Sequence, residues 1–99
     1  MHLDRNDILI ITRYFADKPV RRAYVFGSFS RNTATEYSDV DILVELDYSK
    51  HIGFGFVQMK LDLEKQLQKP VDLVSSEAVS RHLLPFIEKD KQLIYESAG

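Results

Sequence analysis

The chain contains no cysteine, which excludes disulfides and thiolate metal sites and is compatible with a reducing, cytoplasmic setting. No apolar run approaches the roughly 20 residues needed to cross a bilayer, so no membrane role is expected. The opening segment, "MHLDRNDILIITRYFADK", carries too much charge for a signal peptide. An excess of one charge is missing too. The formal net charge is −2, without the basic field that proteins use to coat nucleic acid. No internal repeat, low-complexity tract or linker interrupts the sequence. What remains is 99 residues, 44% hydrophobic and 28% charged, the composition of one ordinary globular domain over residues 1–99 with a single modest core.

Hydrophobic spacing predicts alternating helices and strands. Asp4 is placed to cap a helix running to about Asp17, with Leu3, Ile8, Ile11, Tyr14 and Phe15 on one stripe. Pro19 disfavours helix at Lys18 and ends it. Arg21 to Phe26 reads as a strand stopped by Gly27, and "SFSRNTA" as a turn or short helix starting at Ser28. "SDVDILVEL" is the strongest strand, with Val40, Ile42, Val44 and Leu46 on one face and Asp39, Asp41, Leu43 and Glu45 on the other. "DYSKHIGFG" reads as a loop.

A helix is predicted from about Phe54 to Gln68 with two apolar stripes. Phe56, Met59, Leu63 and Leu67 form one; Phe54, Val57 and Leu61 form the other. The second stripe is either buried in the same domain or turned toward another chain. "KPVDLVS" is a third strand, Pro85 restarts a helix at its first turn, and "LIYE" closes as a short strand. The expected class is α/β (α+β), a small mixed sheet of three to four strands flanked by helices.

Asp39 and Asp41 raise the chemical question. On a strand, residues two apart share a face and lie about 6.5–7 Å from one another. Two carboxylates at that spacing inside an apolar run raise each other's pKa, and burial adds to the effect. A shared divalent cation resolves the conflict, and all-oxygen ligands suit Mg²⁺ or Mn²⁺. The alternative is a turn-ending Asp39 beside an Asp41 that faces water. Gly27 and Ser28 add weight to the first option, because Gly lets a ligand approach the backbone and Ser offers a hydroxyl and an N–H. Phosphates on one side and carboxylates on the other make a site for a nucleoside triphosphate with its metal.

The stretch "GSFSRNTATEYSDVDILVELD" resembles the signature of the DNA polymerase beta-like nucleotidyltransferases, a Gly-Ser followed by an Asp-x-Asp strand, and in particular their minimal nucleotidyltransferase (MNT) branch. The resemblance covers nearly the whole chain and implies the nucleotidyltransferase fold. It places a third carboxylate on "KPVDLVS", at Asp72. It implies Asp39, Asp41 and Asp72 as catalytic and metal-holding residues, and Gly27, Ser28 and Arg31 as the nucleotide cradle. The family often has Ala-Arg-Gly where Ser30, Arg31 and Asn32 stand here; Asn tolerates the left-handed backbone that Gly would adopt.

The implied reaction is Mg²⁺-dependent nucleotidyl transfer from ATP or another NTP. The chain has no evident room for an acceptor-binding domain. Family resemblance points to a partner instead, a HEPN-domain toxin AMPylated on tyrosine by its MNT antitoxin. Two alternatives stand beside this: an antitoxin that neutralises by binding alone, and a transferase acting on a small molecule or RNA with a helper subunit. An oligomer is compatible with either. His2, His51 and His82 have no spacing suited to a metal, Glu45 and Asp47 are expected in solvent, and Arg21 and Arg22 read as surface charges.

Overall fold

The computed structural model describes residues 3–98. Helix α1 (Arg5–Phe15) is followed by strands β1 (Val20–Phe26) and β2 (Val40–Leu46), helix α2 (Gly55–Leu67), strand β3 (Val71–Ser75), helix α3 (Leu84–Asp90) and strand β4 (Gln92–Glu96). The four strands form one mixed sheet in the order β3-β2-β1-β4. β1 lies antiparallel to both β2 and β4, and β3 lies parallel to β2. That parallel step requires a crossover, which α2 supplies. The expected fold class and element order are therefore present.

α1 begins where the sequence places its cap. The Asp4 carboxylate accepts the Asp7 N–H at 2.8 Å, and Asp7 returns the favour to the Asp4 N–H at 3.3 Å. This reciprocal capping satisfies two donors that the first helical turn leaves without partners. Asp7 is buried, and Lys69 at 3.4 Å links it to the approach to β3.

The core lies on one face of the sheet, under α1 and α2. Ile11 and Phe15 of α1 and Met59, Leu63 and Leu67 of α2 meet Val40, Ile42 and Val44 of β2 there. Only one of α2's two predicted stripes is buried. Phe54 is 93% exposed, Val57 55% and Leu61 50%, so the second stripe is not part of the core.

α2 also sets the register of β3. The Glu64 carboxylate accepts the Val71 N–H at 3.0 Å, which lowers its pKa. The Val40 N–H donates to the Pro70 carbonyl at 2.8 Å. These contacts bring Asp41 opposite Asp72, since Val40 pairs with Val71 and each later pair follows in step.

The other sheet face lies toward the segment that carries α3, and Phe26, Asp72 and Val74 line a pocket there with Leu83, Phe86 and the buried Ile87. β1 to β3 contribute two rows to this face: Phe26, Asp41 and Asp72, then Tyr24, Leu43 and Val74. Leu43 is buried, with Tyr24 and Val74 as its cross-strand neighbours.

Glu45 departs from expectation. It is half-buried, with Arg22 at 3.1 Å, and its carboxylate accepts the Tyr24 hydroxyl at 2.7 Å. Burial first, then that carboxylate, pushes the Tyr24 hydroxyl up to about 12. Asp47 departs likewise: it accepts the Ser49 N–H at 3.1 Å and the Ser49 hydroxyl, holding the turn after β2. Cross-strand partners explain Glu45 and a local turn explains Asp47. Among the described residues no helix is long and apolar enough to cross a membrane.

Candidate active site

β1 ends in a turn that the sequence allows to be either a turn or a helix. It is a turn. Gly27 takes φ +73°, the left-handed region that favours glycine. The Arg31 N–H donates to the Gly27 carbonyl at 3.1 Å and the Thr33 N–H to the Ser28 carbonyl at 2.9 Å. Asn32, at φ +60°, then closes the excursion, taking the conformation for which its residue type is suited. Phe29 and Ala34 are buried and pin the loop to the core. Ser28 thus opens a single turn rather than a helix, and the N–H groups at the start of such a turn have no partners within it.

Gly27 and Asp41 are in direct contact. A Cβ on Gly27 would lie 2.2 Å from Asp41 Oδ2, so the turn after β1 and the carboxylate strand fit together only through a residue without a side chain. Asp41 is half-buried, with Asp72 beside it in register on β3. Its pKa is pushed up to about 6, by burial first, then by the charges of Asp72 and Asp39, against an opposing effect of Arg31. The structure therefore brings Asp39, Asp41, Asp72 and Arg31 within electrostatic reach of one another.

Asp39 is exposed just before β2, and Asp72 is exposed on β3, the edge strand. Among the described residues no group of three or more His, Asp or Glu side chains is gathered so as to hold a metal unaided. The donor set still fits a divalent cation. Two neighbouring carboxylates, one of them destabilised by crowding and burial, gain from a shared positive charge, and Mg²⁺ retains ligands from water and phosphate. His51 and His82 are exposed, and His2 lies outside the described residues.

Sequence reasoning did not anticipate the pocket beside these groups. Its volume is about 410 Å³, and Gly27, Arg31, Asp72 and Asp90 contribute to its lining. The rest is largely apolar, including Val74, Leu83, Phe86 and Ile87. Most of this wall comes from the segment between β3 and β4, where Leu83, Phe86 and Ile87 share one side of α3 at helical spacing, but that spacing alone does not say what the side faces.

A 60-residue segment of the chain is 42% identical to a candidate protein adenylyltransferase of Methanocaldococcus jannaschii, covering 61% of this chain and 63% of that protein. The chain thus spans less than two thirds of that relative's length. The fold is shared with a chain from a toxin–antitoxin crystal structure with AMP-PNP, at a TM-score of 0.75 and 24% identity over 97% of this chain and 76% of that one. It is shared also with a chain from the complex of a tri-AMPylated Shewanella oneidensis HEPN toxin with MNT antitoxin, at a TM-score of 0.73 and 20% identity over 96% and 74%. The family described as Polymerase beta, Nucleotidyltransferase matches residues 10–98, so this chain belongs to the polymerase beta nucleotidyltransferase family.

Proposed function

We propose that the chain transfers AMP from ATP to a tyrosine hydroxyl of a HEPN-domain toxin and so acts as that toxin's antitoxin. The observation that carries the proposal is the contact of Gly27 with Asp41 and the register of Asp41 with Asp72. It sets a turn suited to phosphate against a pair of carboxylates suited to a cation. The adenylyltransferase name of the archaeal relative and the toxin–antitoxin setting of the structural neighbours support the choice of acceptor.

In this reading the N–H groups that open the turn at Gly27 and Ser28 receive the outer phosphates, and Arg31 offsets their charge. Asp39, Asp41 and Asp72 would hold Mg²⁺ or Mn²⁺, which when bound stabilises charge on the attacking and departing oxygens. Asp72, open to solvent at the sheet edge, takes the proton of the acceptor hydroxyl. The hydroxyl oxygen bonds to the α-phosphorus as the bond from that phosphorus to the bridging oxygen breaks, and pyrophosphate departs. The apolar pocket beside Asp72 is suited to an aromatic side chain.

The test is the intact mass of a HEPN-domain partner incubated with this protein and MgATP. We expect gains in whole AMP units, absent with the Asp39→Asn/Asp41→Asn variant. No gain, with a tight complex still formed, would favour neutralisation by binding alone.

That second reading draws on the uncovered stripe of α2. Under either reading this stripe is proposed to meet the partner. Val57→Glu with Leu61→Glu should therefore abolish complex formation in size-exclusion chromatography. Both positions are at least half-exposed, so thermal stability should move by no more than about 0.5 kcal/mol for each substitution. Unfolding of the variant, or an unaltered complex, would remove the stripe from the interface.

A further inference from the structure

The turn after β1 is tied to a part of the chain far away in sequence. Arg31 forms an ion pair with the carboxylate of Asp90, the last residue of α3. The Ser30 hydroxyl donates to the Asp90 carbonyl, and the Gln92 side-chain amide donates to the Ser30 carbonyl at 3.3 Å. The Asp90 side chain is only 17% exposed while that of Arg31 is 52% exposed. The carboxylate is thus the fixed partner and the guanidinium the one with freedom to lose.

Arg31 and Asp90 both line the pocket that Gly27 and Asp72 share. A guanidinium carries five donors in a rigid fork, so a carboxylate bound to one nitrogen leaves others available to a phosphate. A long side chain left unanchored at a surface has to be ordered when the ligand arrives, at an entropic cost that a standing ion pair removes beforehand. On a half-exposed side chain that ordering is the larger effect; the competing pull of one carboxylate is weakened by solvent.

We propose that Asp90 is a positioning residue, holding Arg31 in the orientation in which it meets the outer phosphates of the nucleotide. This rests on the reading of Arg31 as a phosphate ligand. Asp90 itself does not touch the nucleotide; it acts through Arg31. Because the Ser30 contact uses the Asp90 backbone carbonyl, a side-chain substitution removes the Arg31 contact and spares that link.

The experiment measures binding of α,β-methylene ATP with Mg²⁺ by titration calorimetry, using the unaltered protein, Asp90→Ala, Asp90→Glu, Arg31→Ala and the Arg31→Ala/Asp90→Ala double variant. Asp90→Ala should weaken binding about tenfold, the scale of one charge-assisted contact. Asp90→Glu should recover most of the loss. In the Arg31→Ala background, Asp90→Ala should have no further effect, because residues acting through one contact are not additive. Equal weakening by Asp90→Ala in both backgrounds, or unchanged or tighter binding, would overturn the inference. Unchanged binding by Arg31→Ala alone overturns it too but leaves nucleotidyl transfer standing. Failure of the unaltered protein to bind the nucleotide would overturn both.

Discussion

Gly27→Ala should lower the rate of AMP transfer by about a hundredfold or more while leaving a folded protein. Two effects act together. An alanine at φ +73° carries backbone strain of about 1–2 kcal/mol, because its Cβ crowds the adjacent carbonyl in the left-handed region. That loss corresponds to a fall in melting temperature of roughly 4–16 °C for a domain of this size. The new Cβ also meets Asp41 Oδ2 at 2.2 Å, Asp41 Cγ at 3.2 Å and Asp41 Cβ at 3.5 Å. The obstruction is the end of a side chain, so the fold survives by rotating the Asp41 carboxylate away. That rotation is what catalysis cannot absorb, since a displacement of about 1 Å in a positioned group costs on the order of a hundredfold. Gly55→Ala serves as the control. Gly55 is the first residue of α2, with nothing within 4 Å of an added Cβ, and the change should stabilise by up to about 1 kcal/mol at unaltered rate. Melting curves and initial rates on the two variants settle the matter; a Gly27→Ala protein that transfers AMP at the native rate would show the contact to be incidental.

The elements of this fold were legible because each has its own local cause. Asp4 caps α1, the alternation in "DVDILVEL" requires a strand with two unlike faces, and Pro85 opens α3. The pairing of carboxylates was legible in part. Spacing puts Asp39 and Asp41 on one face, but nothing local says that Asp72 lies opposite Asp41. That follows from the parallel register, which α2 fixes through Glu64 and the packing of Leu63 and Leu67. Resemblance supplied Asp72 where spacing could not.

Other features depend on contacts between distant residues and had no local signal. Asp90 reads as one charge in "EKDKQ", and its link to Arg31 spans 59 positions. Glu45 reads as a solvent-facing strand residue until β1 places Arg22 and Tyr24 beside it. The second stripe of α2 shows the converse limit. Helical spacing says that Phe54, Val57 and Leu61 share a side, but not whether the fold has anything to cover it. In this chain the sheet covers one stripe only.

Asp41→Asn should abolish transfer and, in metal-free solution, make the protein more stable at neutral pH. Burial and the charges of Asp72 and Asp39 hold the Asp41 carboxyl near 6, above its ordinary 3.8. An acid whose pKa is raised by folding binds its proton more tightly in the native state than in the unfolded chain, so ionising it opposes folding. Below about pH 4 the group is protonated in both states and contributes nothing. Between about pH 4 and 6 the native protein loses stability through this group as pH rises, and above about 6 the full penalty is present. The penalty is on the order of 1 kcal/mol, allowing for the solvent that reaches a half-buried group. With EDTA present, the melting temperature of Asp41→Asn should therefore match that of the native protein near pH 4 and exceed it by several degrees at pH 7–8. Adding Mg²⁺ or Mn²⁺ should narrow the gap by stabilising the native protein alone, as any ligand that binds only the folded state does. Activity should move the opposite way. Replacing one carboxylate of the proposed metal-holding set should slow transfer by about a thousandfold or more, the scale of several kcal/mol of transition-state charge stabilisation. A variant that is more stable yet inactive would mark Asp41 as a charge kept for chemistry at the expense of the fold. Equal melting temperatures across the whole pH range would instead place Asp41 in ordinary contact with water, and the crowding of carboxylates on this sheet face would then give no reason to expect a cation there.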